Sequence, residues 1–253
     1  MNTICARRLI PALLLGLAPI AGVQAEQWPA PISATQARGV EIIGKFNAPS
    51  GLQGFAGKIN GQGIALYLTE DQQHVIVGTL LDAKGEDLSR EPLEKLVYEP
   101  MAGEMWAQLE QSHWIADGAA NAPRIVYSFT DPNCPFCSML WKQARPWVDA
   151  GKVQVRHIMV GILREDSLGK SAALLAAKDP SAALREHESS KPVTPLKEVT
   201  PAIAQQLKAN YQLMSNLGAS ATPAIFYQDD QGRLQQQMGA PQPEKLKEIF
   251  GER

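Results

Sequence analysis

Cys134-Pro135-Phe136-Cys137 joins two segments of opposite character. Before it runs Arg124-Ile125-Val126-Tyr127-Ser128-Phe129, a continuous apolar stretch of the kind found in strands covered on both faces. After it comes a helical pattern carrying Met139, Leu140, Trp141 and Trp147. A Cys-x-x-Cys that leaves a buried strand and opens a helix is a redox signal. In the first helical turn, residues three apart share a face, which brings the two sulfurs within bonding reach. Cys134, at the helix start, meets unpaired N–H groups and the positive end of the helix dipole, so its thiolate is favoured. Pro135 fits the first turn, where its missing N–H had no partner to lose. Cys137 is expected to lie deeper, which assigns Cys134 as the nucleophile and Cys137 as the resolving thiol. Such a short loop adds little stability when bridged, because that gain grows with loop length.

Other uses of the pair fit less well. Zinc needs further Cys or His ligands, and His74, His113, His157 and His187 are scattered singly. Haem attachment needs a histidine directly after the second cysteine, where Ser138 stands. An inert disulfide is the remaining reading. No metal and no cofactor are expected. Thr222-Pro223 is a second signal: proline opening the apolar run Ala224-Ile225-Phe226-Tyr227 fits a strand start or a cis bond. The expectation is a cis bond against the cysteine turn, with the Thr222 hydroxyl or backbone near the Cys134 sulfur. Phe136, Pro135, Thr222 and Pro223 thus join the dithiol as binding and redox-tuning residues. Asp131, Glu165 and Asp166 are read as solvated loop charges.

The N-terminus directs the compartment. Arg7 and Arg8 precede an apolar run from Leu9 to Val23, and Val23-Gln24-Ala25 suits a signal peptidase. About fifteen apolar residues fall short of the roughly 20 that span a bilayer, so cleavage after Ala25 is expected over a retained anchor. Cys5 precedes the run, which argues against lipid attachment. Two of the three cysteines then remain, in 228 residues, with 22 basic against 26 acidic side chains. That balance excludes an electrostatic footprint for nucleic acid, and no stable membrane insertion is expected.

Residues 26–38 read as a lead-in with a short helix. From 39 to 81 the runs Val40-Glu41-Ile42-Ile43, Ile64-Ala65-Leu66-Tyr67-Leu68 and Val75-Ile76-Val77 are β-rich, separated by turns at Pro49-Ser50-Gly51, Asn60-Gly61 and Asp71-Gln72-Gln73. This antiparallel module, 26–88, is small enough to need a partner surface. Residues 89–114 read as a linker helix interrupted near Pro100, with Met101, Met105 and Leu109 as a packed stripe. Residues 115–253 have an α/β rhythm, with strands at 124–129, 153–160, 224–228 and 233–238, a helical insertion over about 165–218 and a closing helix at 243–250.

These residues resemble the DsbC/DsbG group of periplasmic thiol:disulfide interchange proteins, from Trp28 to the C-terminal helix. Glu104-Met105-Trp106 with Gln111-Ser112-His113-Trp114, Gln143-Ala144-Arg145-Pro146-Trp147-Val148-Asp149, and Thr222-Pro223-Ala224-Ile225 favour its DsbG branch. The resemblance implies a thioredoxin-fold catalytic domain and a cystatin-like N-terminal domain that joins a V-shaped homodimer. It also implies a dithiol kept reduced by the membrane reductase DsbD, acting on protein substrates whose cysteines are oxidised to disulfides or sulfenic acids. The chain departs from the family in carrying Phe136 where tyrosine is usual, which removes one hydroxyl near the site. A DsbA-like oxidase and a chaperone-like binding module with secondary redox activity are the competing functions.

Overall fold

A computed structural model describes residues 27–189 and 191–252; the expected signal segment lies outside the described residues. Helix α1 (Ala30–Gln36) leads into four strands, β1 (Glu41–Asn47), β2 (Gln53–Ile59), β3 (Gln62–Leu68) and β4 (Val75–Val77), paired antiparallel in that order. Asn60 and Gly61 alone join β2 to β3, both with positive φ (51° and 78°). That is the two-residue turn whose twist matches a hairpin. β2 was not among the β-rich runs of the sequence, since it holds Gly54 and Gly57. The strand needs that smallness: a Cβ on Gly54 would lie 2.3 Å from the Phe46 ring. Ile32, Phe55, Leu66 and Leu68 form the core of this module, with Trp28 edge-on to Phe55 at 5.7 Å. Each such fully buried side chain contributes about 1.5–3 kcal/mol.

The connector is continuous where the sequence suggested a break. Helix α2 (Arg90–Leu93) passes through a π-helical stretch, Glu94–Tyr98, into α3 (Glu99–Gln111). Pro100 offers no N–H and its ring crowds the carbonyl four residues back. The wider turn absorbs this, with the Glu99 N–H bonded to the Glu94 carbonyl five residues back. Leu109, wholly buried, and Met105 pack against the second sheet. The helix ends at Gln111, before the expected 114, because Ser112 turns extended.

The second sheet has the order β5-β7-β6-β8-β9. Its strands are β5 (Trp114–Asp117), β6 (Arg124–Thr130), β7 (Val153–Met159), β8 (Ala224–Gln228) and β9 (Leu234–Met238). β6 and β7 run parallel and the other pairs antiparallel. Helices α4 (Pro135–Val148) and α8 (Lys245–Phe250) cover one face over Val126, Val155, Ile225 and Tyr227. The other face buries Tyr127, Phe129, Ile158 and Phe226 against α3 and α7 (Pro201–Asn216). With α5 (Ser167–Leu175) and α6 (Pro180–Ser189), α7 makes up the insertion between β7 and β8. No helix among the described residues is long and apolar enough to cross a membrane.

Candidate active site

Cys134 caps α4: its Sγ accepts the Cys137 N–H at 3.3 Å, and its carbonyl takes the N–H groups of Cys137 and Ser138 at 3.1 and 3.2 Å. Pro135 follows in the first turn, as the missing N–H predicts. Both thiols are free. Exposure does not separate them, at 3 % and 2 %, but Cys137 is enclosed by more protein, and ionisation does separate them. The neighbouring Cys137 thiol, working against burial, joins the Thr222 side chain and the N–H groups of Cys137 and Phe136 in holding the Cys134 pKa down to about 6. Burial pushes Cys137 well above the ordinary thiol range, and a negative Cys134 beside it adds to the push. Near neutral pH the pair is therefore one thiolate and one thiol.

Thr222-Pro223 is a cis peptide bond, and the loop lies against the dithiol. The Cys134 thiol donates to the Thr222 carbonyl at 3.2 Å. With Cys134 protonated, the Thr222 hydroxyl is buried without a hydrogen-bond partner; its lowering of the Cys134 pKa acts on the ionised sulfur. Of the two contacts the sequence allowed, the structure places the backbone one. Pro223 is buried, its carbonyl accepting the Gly239 N–H at 2.8 Å across the β8–β9 hairpin. Phe136 stands outward, 56 % exposed beside the reactive turn.

One acidic residue departs from the sequence reading. Asp131 is 1 % exposed, not solvated, and its carboxylate is fully engaged in hydrogen bonds. The signal was available in part: Asp131 directly follows a strand whose end is buried, where a free carboxylate has no water. Glu165 is exposed as expected, and Asp166 is partly so, paired with Lys170 at 2.8 Å.

A dithiol split into thiolate and thiol at a helix start, on a mixed five-stranded sheet, defines the thioredoxin-fold thiol–disulfide proteins. Comparison with known families carries this further. The thioredoxin-like domain family matches residues 115–252, and the disulfide bond isomerase protein N-terminal domain matches residues 24–90. The thiol:disulfide interchange protein DsbG of Pseudomonas aeruginosa is 60 % identical over 232 residues, covering 90 % of this chain and 91 % of that protein. Its counterpart from Escherichia coli is 44 % identical over 242 residues, covering 94 % and 97 %. The solved catalytic domain of Proteus mirabilis ScsC shares the fold, with a TM-score of 0.51 at 22 % identity, over 60 % of this chain and 96 % of that one. The chain belongs to the DsbG family of thiol:disulfide interchange proteins.

Proposed function

We propose that this chain is a periplasmic disulfide reductase and isomerase that also reduces sulfenylated cysteines, with Cys134 as attacking thiolate and Cys137 as resolving thiol. The observation that carries the assignment is the split in ionisation: Cys134 near pH 6, Cys137 held protonated by burial. The Cys134 thiolate attacks one sulfur of a substrate disulfide, and the other sulfur leaves as thiolate. On a sulfenic acid the same attack displaces the oxygen, which leaves as water after taking a proton. Either step yields a mixed disulfide at Cys134. Cys137 then loses its proton and attacks the Cys134 sulfur, releasing the substrate thiolate and forming the Cys134–Cys137 disulfide. The substrate gains two electrons and the dithiol loses two; an external reductant, which the resemblance gives as DsbD, restores it. In isomerisation a second substrate thiol resolves the mixed disulfide and no net electrons move.

Export follows from the segment at 1–25, removed after Ala25. Dimerisation through 26–88 is supported by the two edges of the first sheet. β1 carries Glu41 and Lys45 and an irregular register between Ile42 and Gly44, features that discourage strand addition. β4 carries only Val75, Ile76 and Val77, and Ile76 is 55 % exposed with Leu81 beyond it at 57 %. We assign β4 as the contact edge.

The test is trapping. Cys137→Ala is expected to accumulate mixed disulfides with exported proteins, and Cys134→Ala to form none. Equal trapping by the two variants overturns the assignment. Alkylation of the resting protein in cells reads the direction of electron flow: a free dithiol supports the reductase, a disulfide the oxidase.

A further inference from the structure

Among the described residues the insertion contributes no strand to the catalytic sheet, yet with the loop leading into it, it holds all three residues of the turn before Cys134. One oxygen of the Asp131 carboxylate accepts the N–H groups of Ile162 and Leu163, at 2.7 and 3.0 Å. The other accepts the Asn133 N–H at 2.8 Å and the Ser167 hydroxyl at 2.9 Å. The Pro132 carbonyl pairs with His187 Nε2 at 2.9 Å. Because His187 Nδ1 accepts the Val193 N–H at 3.0 Å, Nε2 carries the hydrogen and donates. The Asn133 side chain donates to Asp166 and Ser167 at 2.8 and 2.9 Å, and accepts from Lys170 at 2.8 Å. Gly161 permits the approach: a Cβ there would come within 2.5 Å of Leu168 Cα.

A buried carboxylate is tolerated when its lone pairs are filled, and bonds to an ionised oxygen are stronger than neutral ones. Four donors fill Asp131, three of them backbone N–H groups, so it holds the Ile162–Leu163 loop and the start of α5 at one fixed distance. The same residue meets the dithiol directly, its carbonyl accepting the Cys134 N–H at 3.0 Å. Its backbone N–H also opposes the upward push on the Cys137 thiol. The Cys134 thiolate is favoured by the Cys137 thiol and by the N–H groups of Cys137 and Phe136 at the start of α4, and all of these depend on where the Cys134 backbone is held.

We propose that Asp131 is a positioning residue through which the insertion holds Cys134 at the helix start and so sets its thiolate character. This rests on the reading of Cys134 as the attacking sulfur. The alternative is a tie that stabilises the fold and leaves the sulfur untouched.

Asp131→Asn separates the two. The amide keeps the size but its NH2 cannot accept, so donors on one oxygen lose their partner. In the reduced full-length protein, the Cys134 pKa is read from the pH dependence of iodoacetamide alkylation, with thermal unfolding alongside. Positioning raises that pKa by about one unit, a roughly tenfold loss of thiolate well below it. Ser167→Ala removes one of the four bonds to Asp131, along with those the hydroxyl accepts from Asn133 and Arg164, and shifts the pKa the same way by less. Arg124→Met, which cuts the tie from β6 to Asp230 at 2.7 Å and to the Gln228 carbonyl at 3.3 Å at the far end of the domain, lowers the unfolding temperature and leaves the pKa alone. A destabilised Asp131→Asn with unchanged pKa overturns the proposal, as does an equal shift in Arg124→Met. If Asp131→Asn does not fold, an unchanged pKa in Ser167→Ala overturns it. Failure of the underlying reading looks different: Cys134→Ala would still trap substrates, whatever Asp131 does.

Discussion

The Thr222 hydroxyl and the Cys134 sulfur are neighbours without a bond between them: the thiol hydrogen goes to the Thr222 carbonyl, and the hydroxyl is left buried without a partner. Once Cys134 ionises it has no hydrogen to give the carbonyl, and the hydroxyl becomes the donor at hand. Thr222→Val keeps the shape and removes that donor. The expected result is a higher Cys134 pKa by ultraviolet thiolate absorbance and a lower reduction potential against glutathione, since a less stable reduced form makes a weaker oxidant. Unchanged values would leave the Cys137 thiol and the helix start as the sources of the thiolate.

The split pair also makes stability depend on pH in the reduced form alone. The folded Cys134 pKa, about 6, lies below the unfolded value of about 8.5. Its contribution is therefore present in full above the unfolded pKa and is lost as pH falls through 6. Cys137, raised by burial, acts oppositely and begins to cost stability only above about pH 8.5. Denaturant melts should show reduced protein gaining on oxidised protein from pH 5 to 8; a flat difference refutes the assigned ionisation.

Ile76→Asp places a charge on the uncharged β4 edge. Sedimentation at micromolar concentration is expected to find dimer for the unaltered chain and monomer for the variant, with redox activity toward a small disulfide retained. Deleting 26–88 should likewise leave a folded, redox-active monomer. A dimer that survives Ile76→Asp moves the contact elsewhere.

Asp117, 4 % exposed, pairs with Arg145 and lies 3.8 Å from His157. Burial alone would push its pKa up, but His157 and Arg145 hold it at about 2. Asp117→Asn removes the charged partner of a largely buried guanidinium that keeps Asp149 at 3.4 Å and the Trp141 carbonyl at 3.0 Å, and is expected to cost about 1–3 kcal/mol in chemical denaturation. The depressed pKa means the carboxylate's contribution is present above about pH 4 and lost as pH falls through 2. The variant should therefore lose less stability on acidification than the unaltered chain.

The sequence revealed elements that carry their own periodicity or turn chemistry. Asn60-Gly61 announced its hairpin, and the apolar run at 124–129 its central strand. β5 was not legible, because four residues at a sheet edge have no pattern apart from their pairing with β7. The dithiol was legible because its geometry is local to one helical turn. The Asp131 anchorage was not: Ile162, Leu163 and Ser167 lie 31 to 36 positions away, and only the folded chain supplies them.

Thr222 comes to Cys134 because β8 runs beside β6, and β8 follows the whole insertion: Val126 faces Tyr227, 101 positions further along. Closing so long a loop costs entropy that nearer pairings do not, and distant contacts of this kind form slowly. The helix that Cys134 opens waits on the same closure, because Leu140, Ala144 and Trp147 of α4 pack on Ile225 and Tyr227 of β8 and on Ile249 and Phe250 of α8. One late strand thus brings the floor beneath the cysteine helix and the wall beside the sulfur together. A chain that ends short of residue 222 lacks both, so the dithiol and its surroundings are completed in a single step.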